Sequence, residues 1–113
     1  SAGGNLAAVV ALAWRDAGES VPLKFQLLIY PATDMRLAAP SHTHNGQGYL
    51  LTADTIRYFR SHYIGPEQYS DWRASPLLHA DLSGLPPTFI TVAAHDPLHD
   101  DGVTLIVEIL DHF

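Results

Sequence analysis

Apolar residues at Leu6, Val9, Val10, Ala13, Trp14 and Ala17 recur at intervals of three and four, the spacing that lines one face of an α-helix. The pattern predicts a helix over about residues 2–17, with Ser1 placed to cap it and Gly18 where a left-handed residue would end it. Lys24–Tyr30 is a near-continuous apolar run between Pro22 and Pro31, the form of a strand buried on both faces of a parallel sheet. Residues 31–51 are rich in Pro, Ser, Thr, His, Asn and Gly without any period, and read as a long surface excursion in which His42 and His44 are expected to be exposed. Thr52 then caps a helical pattern with Ile56, Phe59 and Tyr63 on one side, closed by Gly65-Pro66. After an irregular stretch over 66–87, Thr88–Ala94 has the composition of a strand and runs straight into His95-Asp96-Pro97. Val103–Leu110 is apolar and reads as a helix, and Trp14, Phe25, Phe59 and Phe89 are expected in the core.

Helix and strand alternate in this order, so the expected class is α/β, with a parallel sheet, right-handed crossovers and flanking helices. Ligands of such sheets gather beyond the carboxyl ends of the strands. Two segments fall there: the entry to the first helix, with Ser1, and the turn after the last strand, with Asp96.

Composition narrows the partners. Of 113 residues 47% are apolar and 16% charged, which suits a folding chain and not a disordered one. Six scattered basic residues against twelve acidic ones, a net charge of −6, offer no patch to neutralise phosphates, so nucleic acid is not an expected partner. No run approaches the roughly 18 apolar residues of a membrane helix, and there is no basic-then-apolar leader. Zero cysteines rule out disulfides, thiolate metal sites and a cysteine nucleophile, and suit a reducing compartment, so the expectation is cytoplasmic. The chain opens on Ser1 directly at a helix entry and ends inside an apolar run, so it is expected to be a piece of a longer domain. Such a piece leaves strand edges and helix faces uncovered, and its independent stability is in doubt.

Ser1-Ala2-Gly3-Gly4 puts a hydroxyl at a helix mouth, where unpaired N–H groups and the positive dipole end favour a nearby anion. Ser-x-Gly is the second half of the Gly-x-Ser-x-Gly nucleophile elbow, whose sharp turn needs small neighbours. Two other readings stay open: Ser1 as a simple N-cap or cleavage remnant, and a phosphate-cradling loop, though no Lys-Ser/Thr follows the glycines. Asp96, followed by Pro97, could orient an imidazole or serve as an ordinary turn aspartate. His95, His99, Asp100 and Asp101 could ligate a metal, but Pro97 disfavours a continuous helical His pair, and the acids equally suit a solvated helix start.

With Ser-Ala-Gly-Gly-Asn-Leu-Ala at 1–7 and His-Asp-Pro-Leu-His-Asp-Asp-Gly at 95–102, the chain resembles the hormone-sensitive-lipase-like branch of the α/β-hydrolase fold. Leu27–Pro31 with Thr33-Asp34, Gly48–Thr52, Arg73–Leu77 and Asp81–Pro87 are similar to that family in the same order. The resemblance covers about residues 1–103 and implies one partial catalytic domain over 1–113, in which 31–87 is an excursion with one helix between two core strands. It implies a carboxylic ester hydrolase acting on small-molecule esters by acyl transfer, without cofactor or metal. Ser1 would be the nucleophile, Asp96 the acid that orients the histidine, and the Ala2 N–H one donor of the oxyanion hole. The remaining oxyanion donors and the substrate-covering cap would come from segments outside these residues. The histidine is the point of departure. A helix, a connection and a last strand between acid and base need roughly 20 residues, whereas 97–111 offers 15. His112 is the candidate at that end, although the family's glycine after it is missing and 104–113 is unusually apolar; His95 and His99 belong to Asp96's own turn. A non-catalytic hydrolase-like binding domain and a His/Asp metal hydrolase are the alternatives.

Overall fold

Helix α1 spans Ala2–Asp16 in the computed structural model, which describes residues 1–18 and 22–112. Gly18 ends it at φ +66, the left-handed conformation expected there. The face turned inward differs from the expected one: Asn5, Ala8, Ala11 and Leu12 are buried, whereas Leu6, Val10 and Trp14 are 51%, 54% and 37% exposed. The helix is apolar nearly all round, and the side with the smallest residues is the one that can approach a strand closely. Gly4 marks that approach, for a Cβ there would stand 2.9 Å from the Cα of Pro31.

Strands β1 (Gln26–Ile29) and β2 (Thr88–Thr91) pair in parallel, from Gln26 opposite Thr88 to Ile29 opposite Thr91. Both form within the segments the sequence marks as strands, each shorter by three residues. Leu28 is fully buried beneath α1, and with Ala8, Leu12, Leu82 and Leu105 it makes the core. The other face of β1 is bare. Leu27 and its cross-strand partner Phe89 are 53% and 57% exposed, and Phe25 and Ile29 are exposed beside them. The expectation of a strand buried on both faces therefore fails, as does that of a core holding Trp14, Phe25, Phe59 and Phe89, because the described residues supply packing partners on one side only.

The connection from β1 to β2 contains more helix than its composition suggests. A single turn, α2 (Ser41–His44), precedes α3 (Ala53–Tyr63), and two 3-10 turns follow at Pro66–Gln68 and Pro76–Leu78. Thr52 caps α3 as expected, its hydroxyl accepting the Thr55 N–H at 3.2 Å. Helix α4 (His99–Asp111) starts four residues before Val103, with Asp100 and Asp101 in its first turn where the helix dipole favours negative charge. Gly102 hides that start in the sequence, yet it is needed: a Cβ would stand 2.5 Å from Val92 Cγ1. Among the described residues no helix is long and apolar enough to cross a membrane.

Candidate active site

The carboxyl end of β1 turns sharply at Tyr30, whose φ of +34 is left-handed, and whose N–H still donates to Thr91 O at 2.8 Å. Pro31 follows, and α1 begins against this bend. The Ser1 amino group lies 3.5 Å from Ile29 O, and Ala32 N–H donates to Ser1 O at 3.4 Å. Asn5 is 1% exposed; its Nδ2 donates to Ala32 O at 2.7 Å and to Ala74 O at 2.8 Å, binding helix, strand exit and the 74–76 turn together. Ser1 occupies the N-cap position, yet its hydroxyl makes no capping hydrogen bond and is exposed. The N–H groups of Ala2, Gly3 and Gly4 have no partner within the helix, as at any helix start, and point the same way.

Asp96 lies five residues past the end of β2, on the same rim of the parallel pair as Ser1. The Asp96 carboxylate lies near enough to Ser1 to act electrostatically on its backbone nitrogen. Asp96 is 8% exposed. One carboxylate oxygen, Oδ1, accepts the Leu98 N–H at 2.9 Å, and the other has no hydrogen-bond partner among the described residues. A carboxylate half-satisfied by its own turn holds its orientation and keeps an acceptor for an imidazole.

Beside Ser1 opens an apolar hollow of about 270 Å³, walled by Leu6, Met35, Leu51, Phe59, Tyr63 and Leu98. The side chains that the sequence assigns to the core or leaves in the excursion thus line the space in front of the hydroxyl. A larger apolar hollow, about 700 Å³, lies at the other end of the strands between Pro86–Ile90 and the last turn of α4. It holds neither Ser1 nor Asp96, so size does not decide which hollow serves chemistry.

His112 lines that second hollow. Its Nδ1 accepts the Leu82 N–H at 3.0 Å and lies 3.5 Å from Asp81 Oδ1. Because the Leu82 bond uses the Nδ1 lone pair, this nitrogen has no proton to give Asp81. The thirteen residues of α4 separate His112 from the Asp96 turn by about 20 Å along the helix. The structure therefore brings Ser1, Ala2 and Asp96 to one rim and leaves His112 at the other. His95 sits edge-on to Tyr49 at 4.7 Å and His99 Nδ1 pairs with Asp100 Oδ1 at 2.9 Å. Among the described residues no three histidines or carboxylates converge as metal ligands would.

Two expectations about polar residues need correction. His42 is 7% exposed, not a surface histidine, and the acids after Pro97 are not all hydrated, since Asp101 is 2% exposed. His42 Nε2 lies 3.1 Å from Asp101 Oδ1, while Asp101 Oδ2 accepts Thr33 N–H at 2.8 Å and Asp34 N–H at 3.2 Å. Asn5 could have been noticed as the one amide on the small-residue face of α1. Nothing near His42 in sequence foretells its burial, because its partner is 59 residues away.

A hydroxyl at a helix mouth and a buried carboxylate, both beyond the carboxyl ends of adjacent parallel strands, define an α/β protein of hydrolase architecture. Residues 1–111 match the alpha/beta hydrolase fold family, and the chain belongs to it, in its hormone-sensitive-lipase-like branch. It is 48% identical over 106 residues to carboxylesterase NlhH of Mycobacterium tuberculosis, covering 90% of this chain and 33% of that protein. It is 39% identical over 104 residues to ethyl acetate hydrolase of Pseudomonas putida, covering 91% and 33%. Among solved structures, a thermostable esterase from Pseudomonas putida superimposes with a TM-score of 0.92 at 34% identity, over 97% of this chain and 35% of that one. The chain thus spans about a third of the length of the curated relatives it matches.

Proposed function

We propose that residues 1–113 are the part of a carboxylic ester hydrolase that carries its nucleophile and its orienting acid, Ser1 and Asp96. The observation that carries this reading is the free, uncapped Ser1 hydroxyl on the same rim as a buried Asp96 carboxylate with one oxygen unused. The Ser1 Oγ attacks the carbonyl carbon of the ester as a histidine takes its proton. The carbonyl electron pair moves to oxygen, where the Ala2 N–H is one of the groups that stabilise it. The pair returns, the bond to the alcohol oxygen breaks, and the histidine gives its proton to the leaving alcohol. Water then repeats the sequence on the acyl-enzyme and releases the acid. The base is a histidine outside the described residues, brought to the free oxygen of Asp96; the place of His112 at the far end of α4 argues against its holding this role.

The hollow of about 270 Å³ beside Ser1 suits a short to medium acyl or alcohol group, and the name of the ethyl acetate hydrolase relative points to the same size class. A cytoplasmic location belongs to the same proposal and rests on the absence of cysteine from the chain. The test is to react the full-length protein with a fluorophosphonate probe and map the adduct by mass spectrometry. Modification of Ser1 is expected; modification at any other residue overturns the assignment.

A further inference from the structure

The turn that carries Asp96 is held from outside by three residues of the β1–β2 connection, none of which lines the hollow beside Ser1. Asn45 Nδ2 donates to Ala94 O and to Asp96 O, at 3.1 Å each, so one amide spans the backbone on either side of His95. Ser41 Oγ donates to Pro97 O at 2.5 Å and accepts the Asp100 N–H at 3.1 Å, while its own N–H donates to Asp100 Oδ2 at 2.9 Å. His42 Nε2 lies 3.1 Å from Asp101 Oδ1, with the two side chains 6% and 1% exposed. Positions 94, 96, 97, 100 and 101 are therefore each bonded to Ser41, His42 or Asn45. Asp101 also accepts the N–H groups of Thr33 and Asp34, at the exit of β1 beside Ser1. The same connected network thus reaches from the Asp96 turn to the strand end against which Ser1 sits.

We propose that Asn45, Ser41 and His42 are positioning residues for Asp96: a brace that fixes the direction of its free carboxylate oxygen without touching substrate. The proposal rests on the reading of Ser1 and Asp96 as nucleophile and acid. Within its own turn the Asp96 carboxylate accepts the Leu98 N–H and the Asp96 carbonyl accepts the His99 N–H at 3.0 Å. Both bonds stay inside residues 96–99, so they shape the turn but leave it free to pivot as a unit unless it is held from outside. An orienting carboxylate is sensitive to such a pivot, because misplacement by about 1 Å at a reacting constellation costs on the order of a hundredfold in rate.

The experiment measures kcat and KM of the full-length protein on p-nitrophenyl butyrate for Asn45→Ala alone, Asp96→Ala alone and the two combined. Asn45→Ala is expected to lower kcat about tenfold or more with KM changed less than about twofold, and to change kcat less than about twofold once Asp96 is already alanine. Equal losses in the two backgrounds, or an unchanged kcat in folded Asn45→Ala, overturn the brace. Should Asn45→Ala fail to fold, Ser41→Ala is read in the same way. His42→Gln, which keeps a donor near the Nε2 position, is expected to retain kcat within about threefold where His42→Ala does not; equal losses in both overturn the part given to His42. Ser1→Ala or Asp96→Ala with undiminished kcat rejects the nucleophile-and-acid reading itself, and the brace with it. Failure of the brace alone leaves those two variants with a large but measurable loss of kcat.

Discussion

The Asp101 carboxylate meets the imidazole of His42 at 3.1 Å although 59 residues separate them, and both side chains are shut away from water. A carboxylate only accepts, so the ring presents its Nε2–H. Two backbone N–H groups, of Thr33 and Asp34, share the other oxygen. Asp101→Ala would strand three donors at once, two of them buried, and is expected to destabilise the full-length protein by about 3–5 kcal/mol. Asp100→Ala, at a side chain 29% exposed, is expected to cost about 1 kcal/mol. Urea denaturation of the two variants checks the order; equal costs would mean that Asp101 is not the buried hub described here.

Gly4 offers a sharper steric test. A methyl group there would meet Pro31 Cα and Cβ at 2.9 Å and Ile29 O at 3.3 Å, and Pro31 Cα and Ile29 O are backbone atoms that cannot swing aside. Gly4→Ala is expected to push α1 off the end of β1, cost about 1–3 kcal/mol and lower esterase activity by shifting Ser1. Helix propensity alone predicts the reverse, a gain of up to about 1 kcal/mol. A raised denaturation midpoint would therefore show that the close approach is absent in solution.

Ser1 should separate activity from stability. Its hydroxyl stands at the N-cap without making a cap bond, so Ser1→Ala removes no hydrogen bond that the fold uses. Loss of a made cap typically costs about 1 kcal/mol; here the expected change is less than about 0.5 kcal/mol, with kcat/KM falling on the order of a thousandfold or more. Thermal unfolding and ester hydrolysis on the same preparation decide it. A large loss of stability would assign the hydroxyl a structural task instead.

The sequence carries the local part of this picture and misses the part that depends on distant partners. The span of α1, the left-handed Gly18 and the Thr52 cap are written in adjacent residues, and so are the cores of both strands. Which face of α1 turns inward is not, because small residues at Gly4 and Ala8 set the approach while the bulkier Leu6, Val10 and Trp14 give the stronger period. The rim shared by Ser1 and Asp96 follows from strand order alone. The brace at Ser41, His42 and Asn45 is invisible in sequence, since its partners lie 49 to 59 residues further on, in a segment where helix α4 is masked by Gly102.

Acid should unload two surface carboxylates, Asp81, which is exposed, and Asp71, which is partly so. Hydrogen bonds from the Ser83 side chain and backbone hold Asp81 down at about 2, and those from the Arg73 side chain and backbone hold Asp71 at about 2, from an ordinary 3.8. A folded-state value below the unfolded one stabilises above the unfolded value, and the benefit disappears as pH falls through the folded one. The combined variant Asp71→Asn/Asp81→Asn is therefore expected to melt lower than the wild type at pH 6. The gap should close between about pH 3.8 and 2. Added salt should narrow it at pH 6, because both groups face water. A gap that persists at pH 2 would trace the loss to something other than charge.

Leu27 and Phe89 stand opposite each other in the register of β1 and β2, on the face that nothing described here covers, at 53% and 57% exposure. Phe25 and Ile29 extend the patch along β1, and Leu6, Val10 and Trp14 expose a second apolar stripe on α1. Apolar faces of this kind are rare on stable monomers, and both strands of a two-stranded sheet are edges with unpaired backbone groups. Residues 1–113 prepared alone are thus expected to bind an apolar dye such as ANS strongly, to unfold without a sharp transition and to self-associate as concentration rises. In the full-length protein the same side chains are expected to be packed, so Leu27→Asp there should cost about 2–4 kcal/mol, the penalty for burying an unpaired charge. In the isolated residues the same change should cost little and improve solubility. Strong dye binding with Leu27→Asp harmless in both settings would show that this face stays open in the whole protein as well, and is not completed by the rest of the sheet.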